Sequence, residues 1–352
     1  MRYVFLILFL WNYVCVAQNF EYKDIPSDYI KDKLIINTNS FVDITSYLPR
    51  NYVKDGSVDY TVHLQEALLK NEKILMPNFP VLISDVGLDI MNNSVIFFQN
   101  NSKLVLKPSS KGSYQILRIK DKENIKIYNA NIIGDRDYHT GNKGEWGMGI
   151  SIIGSENIEI KNFNITNCWG DGIYIGHGKS SSNKIVIADG IIDNNRRNGI
   201  SVISVNNLVI RNVIVSNTNG TNPNTGIDIE PNYPHNILKN IRIQDVITFN
   251  NKINGILIHL AELPGNKKNS VGIDIINHKD YFSSRPIRIS GALKKDKNSI
   301  VPLSGNINLV NFRSFNNEYE PAINENHFFP KIKVRRSIFT GELNKKKWKK
   351  TY

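Results

Sequence analysis

A four-residue pattern, Gly-Ile-x-Ile or Gly-Ile-x-Val, recurs through the middle of the chain. Its copies are Gly149-Ile-Ser-Ile, Gly172-Ile-Tyr-Ile, Gly199-Ile-Ser-Val, Gly226-Ile-Asp-Ile and Gly255-Ile-Leu-Ile. Successive copies begin 23, 27, 27 and 29 residues apart. A repeat of this length is typical of proteins built from stacked structural units.

A second pattern follows most copies of the first. It consists of alternating aliphatic residues between two asparagines, as in Asn157-Ile-Glu-Ile-Lys-Asn-Phe-Asn-Ile-Thr-Asn. Alternation with a period of two is typical of short β-strands. Each repeat thus has room for about three strands and none for a helix of ~10 residues. The sequence therefore predicts an all-β fold, a single-stranded parallel β-helix in which strands stack on strands.

Asparagines that close these strands are expected to stack as a ladder inside the turns, because short amide side chains hydrogen-bond to the backbone and to each other. They are Asn167, Asn194, Asn217, Asn250 and Asn316.

The 352-residue chain, with 41% hydrophobic residues, is expected to form one elongated body. Residues 1–17 have the short positive start and apolar centre of a signal peptide, which predicts a secreted or periplasmic protein. We expect a cap and entry to the β-helix over 18–80, the β-helix over 81–330, and a basic C-terminal strand and tail over 331–352. No other stretch is long and apolar enough to span a bilayer, so no membrane span is expected.

Cysteine content and charge limit the alternatives. Cys15 falls in the predicted signal peptide, which leaves Cys168 without a disulfide partner. Much of the net charge of +12 comes from the tail between Lys331 and Lys350. The tail is either a solvated end or a contact for acidic glycans or an envelope surface. We expect no nucleic-acid partner, and the sequence leaves the oligomeric state open.

A helical pattern precedes the repeats. Asp55-Gly-Ser-Val-Asp59-Tyr-Thr61 leads into Val62-His-Leu-Gln-Glu-Ala-Leu-Leu, and Asp59 or Thr61 can cap the predicted helix. This order resembles the entry of the pectate-lyase-like superfamily, in which an Asp-Gly-x-x-Asp-x-Thr loop and a Gln-containing helix close the first coil. The resemblance covers roughly residues 41–106 and implies a right-handed β-helix with a short N-terminal capping helix.

In a stacked fold, each repeat forms one coil, which we call a rung. Residues at the same distance from the repeat Ile, that is, at equal offsets, then lie about 4.8 Å apart on adjacent rungs. The first Ile of each copy and the residue two later face inward, so the intervening offsets should form an exposed outer face. Aligned on that Ile, the outward positions carry Met148, Asp171, Asn198, Thr225 and Asn254 (two before), Ser151, Tyr174, Ser201, Asp228 and Leu257 (one after), and Ile153, Gly176, Ile203, Glu230 and His259 (three after).

Two carboxylates share one side of a single predicted strand. Asp228 and Glu230 are two residues apart, which separates their Cα atoms by about 6.6 Å. Paired carboxyls at such a separation suit acid and base catalysis on a glycosidic bond. His259 should lie one rung from Glu230 and could supply a cation or transfer a proton. The alternative is an ordinary polar strand surface.

A second cluster surrounds Asp171 and Tyr174. Glu145 and Arg197 occupy neighbouring turns, and Arg197 or Arg196 could keep Asp171 ionised or bind a sugar carboxylate.

Aromatic residues accompany that cluster. Trp146 and Trp169 share one offset, so they form either stacking faces for sugar rings or a buried aromatic ladder. His139 lies in a polar, glycine-rich loop that is expected to overhang this face and to contribute to binding.

Asp171-Gly-Ile resembles the polygalacturonase branch of the glycoside hydrolases, whose catalytic Asp residues stand two before the strand aliphatic. On the next two coils that branch has Asp-Asp and Gly-His-Gly, whereas this chain has Arg197-Asn198 and Asn224-Thr225. Only Asp171 is therefore carried over from the resemblance, as a catalytic residue.

The residues and the resemblance together predict a protein that cleaves a polysaccharide, first of all a glycoside hydrolase using Asp171 with Asp228, Glu230 or Glu145. Two alternatives stay open. One is a lyase or uronate epimerase on an anionic glycan, with Arg197 or His259 as the base. The other is a glycan-binding solenoid without catalysis.

No cofactor is expected. The chain lacks zinc-ligand spacing, a phosphate-binding loop and a nucleophile elbow. A carboxylate-bound Ca²⁺ at Asp135, at Asp137, or at Asp228 with Glu230 is the one metal site that the sequence leaves open.

Overall fold

The structure is a computed structural model that describes residues 20–29, 32–291, 301, 303–324, 332–343 and 347–350. The predicted signal peptide lies outside the described residues. One α-helix, α1 (Thr61–Lys70), and two short 3₁₀ helices, Ser27–Tyr29 and Ile44–Tyr47, accompany the strands. No helix in these ranges is long and apolar enough to cross a membrane.

The strands are, in chain order, β1 (Val42–Asp43), β2 (Lys73–Met76), β3 (Pro80–Ile83), β4 (Leu88–Asp89), β5 (Val95–Phe98), β6 (Lys103–Leu106), β7 (Ser113–Lys120), β8 (Glu123–Tyr128), β9 (Asn131–Ile133), β10 (Trp146–Ile153), β11 (Glu156–Thr166), β12 (Ile173–Gly176), β13 (Ser182–Asp193), β14 (Asn198–Val202), β15 (Val205–Ser216), β16 (Thr225–Ile229), β17 (Leu238–Gln244), β18 (Ile247–Phe249), β19 (Asn254–His259), β20 (Ser270–Ile276), β21 (Lys279–Tyr281), β22 (Arg285–Ser290), β23 (Ser304–Asn317), β24 (Ala322–Ile323), β25 (Ile332–Leu343) and β26 (Lys347–Lys350).

The strands form a parallel β-helix, as predicted. In the described part of the chain, nine strands make one sheet, which we call the site sheet: β4, β7, β10, β12, β14, β16, β19, β22 and β24. The other strands form the rest of each coil, and they pair in parallel except for β25 with β26. In the site sheet Ile150, Ile173, Ile200, Ile227 and Ile256 stand in register, which confirms the alignment of the repeats.

The core is a stack of aliphatic side chains inside the coils. Both inward residues of every Gly-Ile-x-Ile or Gly-Ile-x-Val copy are fully buried. Burying such a side chain stabilises the fold by about 2 kcal/mol relative to leaving it in water. Helix α1 closes the N-terminal end through Leu64 and Leu68. The N-cap residue is Tyr60, which makes no side-chain cap, so the predicted cap by Asp59 or Thr61 is wrong; Asp59, one residue earlier, accepts from the Thr61 N–H at 3.0 Å.

Sharp corners separate the strands of each coil, and Asn or Asp residues form most of them. Asn162 and Asn212, for example, have φ values of 53° and 57°, a left-handed conformation that short polar side chains tolerate. The predicted amide ladder is present in part. Asn194 Nδ2 donates to Asn167 Oδ1 at 2.8 Å, and Asn250 Nδ2 donates to Asn217 Oδ1 at 2.7 Å.

The ladder is interrupted at two places. Phe282 occupies the rung between Asn250 and Asn316, and a second break lies between Asn194 and Asn217. Asn217 donates to Asp193 Oδ1 at 2.7 Å and not to the neighbouring asparagine. The predicted unbroken ladder is therefore wrong at this step, because a carboxylate is the stronger acceptor within reach.

An N-terminal strap, comprising the described residues between Phe20 and Ile35, runs along the outside of the coils. Asn217 exchanges two hydrogen bonds with the backbone of Lys23, at 3.2 and 2.9 Å. Asn129 does the same with the backbone of Leu34, at 2.9 Å each. The strap thus crosses several rungs and is bound by corner asparagines.

Candidate active site

The outer face of the site sheet carries the polar rows that the repeat alignment predicts. Ser201 pairs in register with Asp228, and Asp228 with Leu257. The predicted exposure of this face is wrong in the middle rungs. Asp171 is 0% exposed and Asp228 is 1% exposed. The Arg197 side chain lies against both carboxyl groups, so they are beneath other side chains and not on an open surface. We call this stretch of the outer face, between the aromatic clusters described below, the groove.

Arg197 covers Asp171. Its Nη1 lies 3.1 Å from Asp171 Oδ2, and the Asn198 N–H donates to Asp171 Oδ1 at 3.1 Å. Burial raises the pKa of Asp171, whereas the positive charge and hydrogen bonds of Arg197 oppose that rise. Of the two arginines proposed from the sequence, Arg197 is therefore the partner of Asp171.

Asn198 connects Asp171 to Asp228. While its backbone N–H bonds Asp171, its side-chain Nδ2 donates to Asp228 Oδ2 at 2.9 Å and to Ser201 Oγ at 3.0 Å. Asp228 lies on β16, two rungs beyond Asp171. The two carboxyl groups, which the sequence treats as separate clusters, thus belong to one hydrogen-bonded network.

Asp228 and Glu230 form an unequal pair. Both project from the same side of one chain segment, but Asp228 is buried and Glu230 is half-buried. Burial and, next, the negative charge of Glu230 raise the pKa of Asp228 well above its ordinary value. Asp228 Oδ1 has no hydrogen-bond partner among the described residues. Two neighbouring carboxyls in different surroundings can hold one proton between them, as acid–base catalysis requires.

Glu145 lies on the other side of Arg197. Its Oε1 is 3.7 Å from Arg197 Nε, and a third of its side chain is exposed. The prediction that Glu145 and Arg197 are neighbours is confirmed. The guanidinium therefore separates a buried carboxylate, Asp171, from one at the edge of the groove.

One wall of the groove is built around Trp169. His139 stacks on one face of its ring, with centroids 3.8 Å apart, and the Arg196 guanidinium lies 3.7 Å from the ring centroid. Trp146 is one rung away and 48% exposed. Trp169 is thus a packed part of the wall, whereas Trp146 offers a free ring to a ligand.

His139 does not overhang the groove as an open binding residue, which corrects the prediction from the sequence. Its side chain is fully buried, with Nδ1 2.8 Å from Asp135 Oδ2. Stacking against Trp169 and pairing with Asp135 draw the imidazole into the wall, where it holds the loop in place.

The opposite wall contains aromatic residues that the sequence reasoning missed. Tyr233 and His235 stack with ring centroids 5.3 Å apart, and His177 meets His235 edge-on at 4.9 Å. Tyr233 is 58% exposed. Tyr174 projects from β12 between the walls and is half-buried. The one signal for this wall was His177 within Gly176-His-Gly178, which follows a strand.

His259 lies where the alignment predicts. Ile229 pairs with Ile258, so His259 is the neighbour of Glu230 on the next rung. Its Nδ1 is 3.0 Å from Ser290 Oγ on the following rung. The imidazole is therefore oriented from one side and stands beside the carboxyl pair.

The acidic residues considered for Ca²⁺ have different surroundings. Asp135 accepts from the Ser109 N–H at 2.8 Å, from the Tyr114 hydroxyl and from His139. Asp137 is exposed and lies 4.0 Å from Arg136. Within the described ranges, no three His, Cys, Asp or Glu residues are grouped for a metal ion. A Ca²⁺ site stays a prediction; at the Asp228–Glu230 pair, Asp228 Oδ1 is buried without a hydrogen-bond partner among the described residues.

Solved structures share this fold. Endo-xylogalacturonan hydrolase from Aspergillus tubingensis is similar with a TM-score of 0.59 and 14% identity over 83% of each chain. A family 28 exopolygalacturonase from Yersinia enterocolitica has a TM-score of 0.58 and 11% identity over 85% of this chain and 66% of its own. At such identities the likeness concerns the fold alone, and the right-handed parallel β-helix is confirmed.

A phage protein shares the architecture too. The tailspike gp49 of Acinetobacter baumannii bacteriophage Fri1, described as a capsular polysaccharide depolymerase, has a TM-score of 0.55 and 13% identity over 86% of this chain and 60% of its own.

Two Bacillus subtilis (strain 168) proteins are similar in sequence. The uncharacterized protein YclG is 30% identical over 162 residues, or 42% of this chain, and the SPbeta prophage-derived uncharacterized protein YorA is 28% identical over 162 residues, or 41% of this chain. The match spans 28% of the length of either relative. No family model matches the chain.

Proposed function

We propose that the protein is a glycoside hydrolase that cleaves a polysaccharide bound along the outer groove of the site sheet. The observation that carries this proposal is the Asp228–Glu230 pair, in which a buried carboxyl with a raised pKa stands beside a half-buried one. Proteins of the same fold that are described as hydrolases or depolymerases of polysaccharides support it.

The pair can supply both proton transfers of hydrolysis. Asp228, whose pKa is raised, is the group that carries the proton, and Glu230 is the member that reaches the groove. The proton of Asp228 goes to the glycosidic oxygen as the bond to the leaving sugar breaks. The Glu230 carboxylate takes a proton from the water that attacks the sugar carbon.

Arg197 and Asp171 position this pair. Asn198, which is bonded to Asp171, also bonds Asp228 Oδ2 and leaves Oδ1 free. We therefore assign Asp171 a structural role: it holds Asn198 and Arg197 in place on the floor of the groove, and the charge of Arg197 balances its own. Trp146 offers a stacking face for a sugar ring. Tyr174, between the two walls, and Tyr233, in the second wall, offer hydroxyl groups to the polymer.

The test is a comparison of single variants on a panel of neutral and uronate polysaccharides, read by new reducing ends. Glu230→Gln and Asp228→Asn should each lower the rate by about 100-fold or more, the usual contribution of acid–base catalysis. Glu123→Gln removes an exposed carboxylate from β8, on another sheet, and should leave the rate unchanged. Full activity of Glu230→Gln with an unchanged melting temperature refutes the assignment.

A lyase or epimerase acting on an anionic glycan is the second candidate, and the position of His259 favours it. His259 stands one rung from Glu230, where an imidazole could remove the proton next to a uronate carboxyl group. Arg197 is unsuited to that role because it is paired with Asp171 and Glu145. A lyase forms an unsaturated product that absorbs in the ultraviolet, and a hydrolase does not.

Loss of that absorbance on chelation would indicate a bound Ca²⁺. Binding of a polysaccharide without any change in its length would instead support a non-catalytic solenoid.

Secretion through residues 1–17 also stays a prediction, which fractionation of expressing cells tests.

A further inference from the structure

Two arginines lie at the downstream end of the groove. Leu257 pairs with Asp228 on one side and with Arg288 on the other, so Arg288 continues the row of Asp228 two rungs on, at about 10 Å. In the parallel row, Asn254 pairs with Arg285. Both arginines thus belong to the face that carries the carboxyl pair.

Uncharged groups hold Arg285 in place. Its guanidinium carbon lies 5.3 Å from the ring centroid of Tyr319, and its Nη1 donates to the backbone oxygen of Glu320. A ring and a carbonyl orient a guanidinium without cancelling its charge.

Among the described residues, no carboxylate forms an ion pair with either arginine at this end. Arg288 is exposed and makes no ion pair with any described acidic residue. After burial, the like charge of Arg288 is the main influence that lowers the pKa of Arg285. An anion between the two guanidinium groups would relieve this repulsion.

Other arginines of the same face differ in this respect. Arg118 Nε is 2.5 Å from Asp89 Oδ1, and Arg197 is bonded to Asp171. The next residue in the row beyond Arg288 is Ala322, whose small side chain leaves the guanidinium uncovered. The downstream pair is therefore open to a ligand in a way that the other two arginines are not.

We propose that Arg285 and Arg288 form a subsite for an acidic group of the polysaccharide, either a carboxylate or a sulfate ester. Guanidinium groups bind both anions through paired hydrogen bonds. The inference rests on the proposed function, because it assumes that the polymer occupies the groove above Asp228 and Glu230. The subsite predicts that the substrate is an acidic polysaccharide and that one of its charged sugar units lies two rungs from the Asp228–Glu230 pair.

The experiment measures binding in the Glu230→Gln background, so that the polymer is not degraded. Probes are polygalacturonate, its carboxyl-reduced derivative, a sulfated carrageenan and its desulfated form. Arg288→Gln should weaken binding of an acidic probe by about tenfold, the loss expected for one charge-assisted contact, and leave binding of the neutral counterpart unchanged. Arg242→Gln, which removes an exposed arginine from β17 on the other side of the coil, is the matched control.

A selective loss with polygalacturonate identifies a carboxylate as the ligand, and a selective loss with carrageenan identifies a sulfate. Equal loss in the Arg288→Gln and Arg242→Gln variants indicates general attraction to a basic protein and overturns the subsite. Binding of neutral probes alone also overturns it but leaves the proposed function standing. Absence of binding to all four probes overturns the subsite, whereas the proposed function is decided separately by the release of reducing ends from the polysaccharide panel.

Discussion

Replacing Asp280 by Asn should remove a pH dependence that is built into the core. Asp280 is fully buried inside the coils, where it accepts from the Thr248 hydroxyl at 2.6 Å and from Asn317 Nδ2 at 2.5 Å. His278 Nε2 lies 3.0 Å from the same Thr248 hydroxyl, and burial lowers the pKa of this imidazole to about 3, so it is neutral at pH 7. Within the part of the chain that the structure describes, no cation therefore compensates Asp280 when it ionises.

The magnitude follows from the pKa. Burial raises the pKa of Asp280 from 3.8 to about 6, against the opposing hydrogen bonds. Because the folded pKa is the higher one, the contribution of Asp280 to stability is fully present below about pH 4 and is lost as the pH rises through about 6. Two units at 1.36 kcal/mol each give a loss of about 3 kcal/mol in the free energy of unfolding at neutral pH.

An asparagine keeps the contacts without the charge. Its oxygen can accept from Asn317, and its amide can donate to the Thr248 oxygen, whose hydroxyl then donates to His278. Asp280→Asn should therefore match the wild type near pH 4 and exceed it by up to about 3 kcal/mol near pH 7.

Urea unfolding followed by circular dichroism between pH 4 and 8 measures this difference. Glu123→Gln, which removes an exposed carboxylate, controls for the general effect of charge. A difference between Asp280→Asn and wild type that does not change with pH would refute the reasoning.

Three further changes test the network, the strap and the wall. Arg197→Gln leaves Asp171 and Asp228 without their cation and should cost about 3–5 kcal/mol of stability, measured by urea unfolding; Arg197→Lys should restore little, because one ammonium cannot contact both Asp171 and Glu145. Asn217→Ala removes both bonds to the Lys23 backbone and should cost about 1–3 kcal/mol while making the strap more sensitive to protease; unchanged proteolysis of the strap would contradict its anchoring by Asn217. Trp146→Ala should weaken polysaccharide binding by about 0.5–1.5 kcal/mol in calorimetry without lowering the melting temperature, whereas a large fall in melting temperature would show that the exposed ring is structural.

The register of the site sheet could be predicted from the sequence because stacking forces residues at equal offsets to be neighbours. That rule correctly brought His259 beside Glu230. It also separated the uniformly aliphatic inward positions, which report on stability, from the outward positions that vary from rung to rung.

Burial of the groove floor could not be predicted in the same way. Whether Asp171 and Asp228 are covered depends on which side chains of neighbouring coils, such as Arg197, lie against them, and a position in the repeat carries no information on that. His139 illustrates the point, because its polar loop suggested exposure whereas Trp169 and Asp135 draw its ring inside.

The strap and the second wall depend on contacts between distant segments. The strap backbone at Glu21 is bonded by Asn250, 229 residues away. Tyr233 and His235 follow β16, whereas His177 follows β12. Neither set shares a repeat offset that would have revealed the contact.

The central claim is that water is added across a glycosidic bond at the Asp228–Glu230 pair. Digestion in ¹⁸O-labelled water, followed by mass spectrometry of the products, tests it directly. A single heavy oxygen per cleaved bond, carried by the new reducing end, with the wild type, and no product with Glu230→Gln, is the predicted result. Unlabelled, unsaturated products would show elimination in place of hydrolysis, and labelled products from Glu230→Gln at the wild-type rate would contradict the assignment of the catalytic pair.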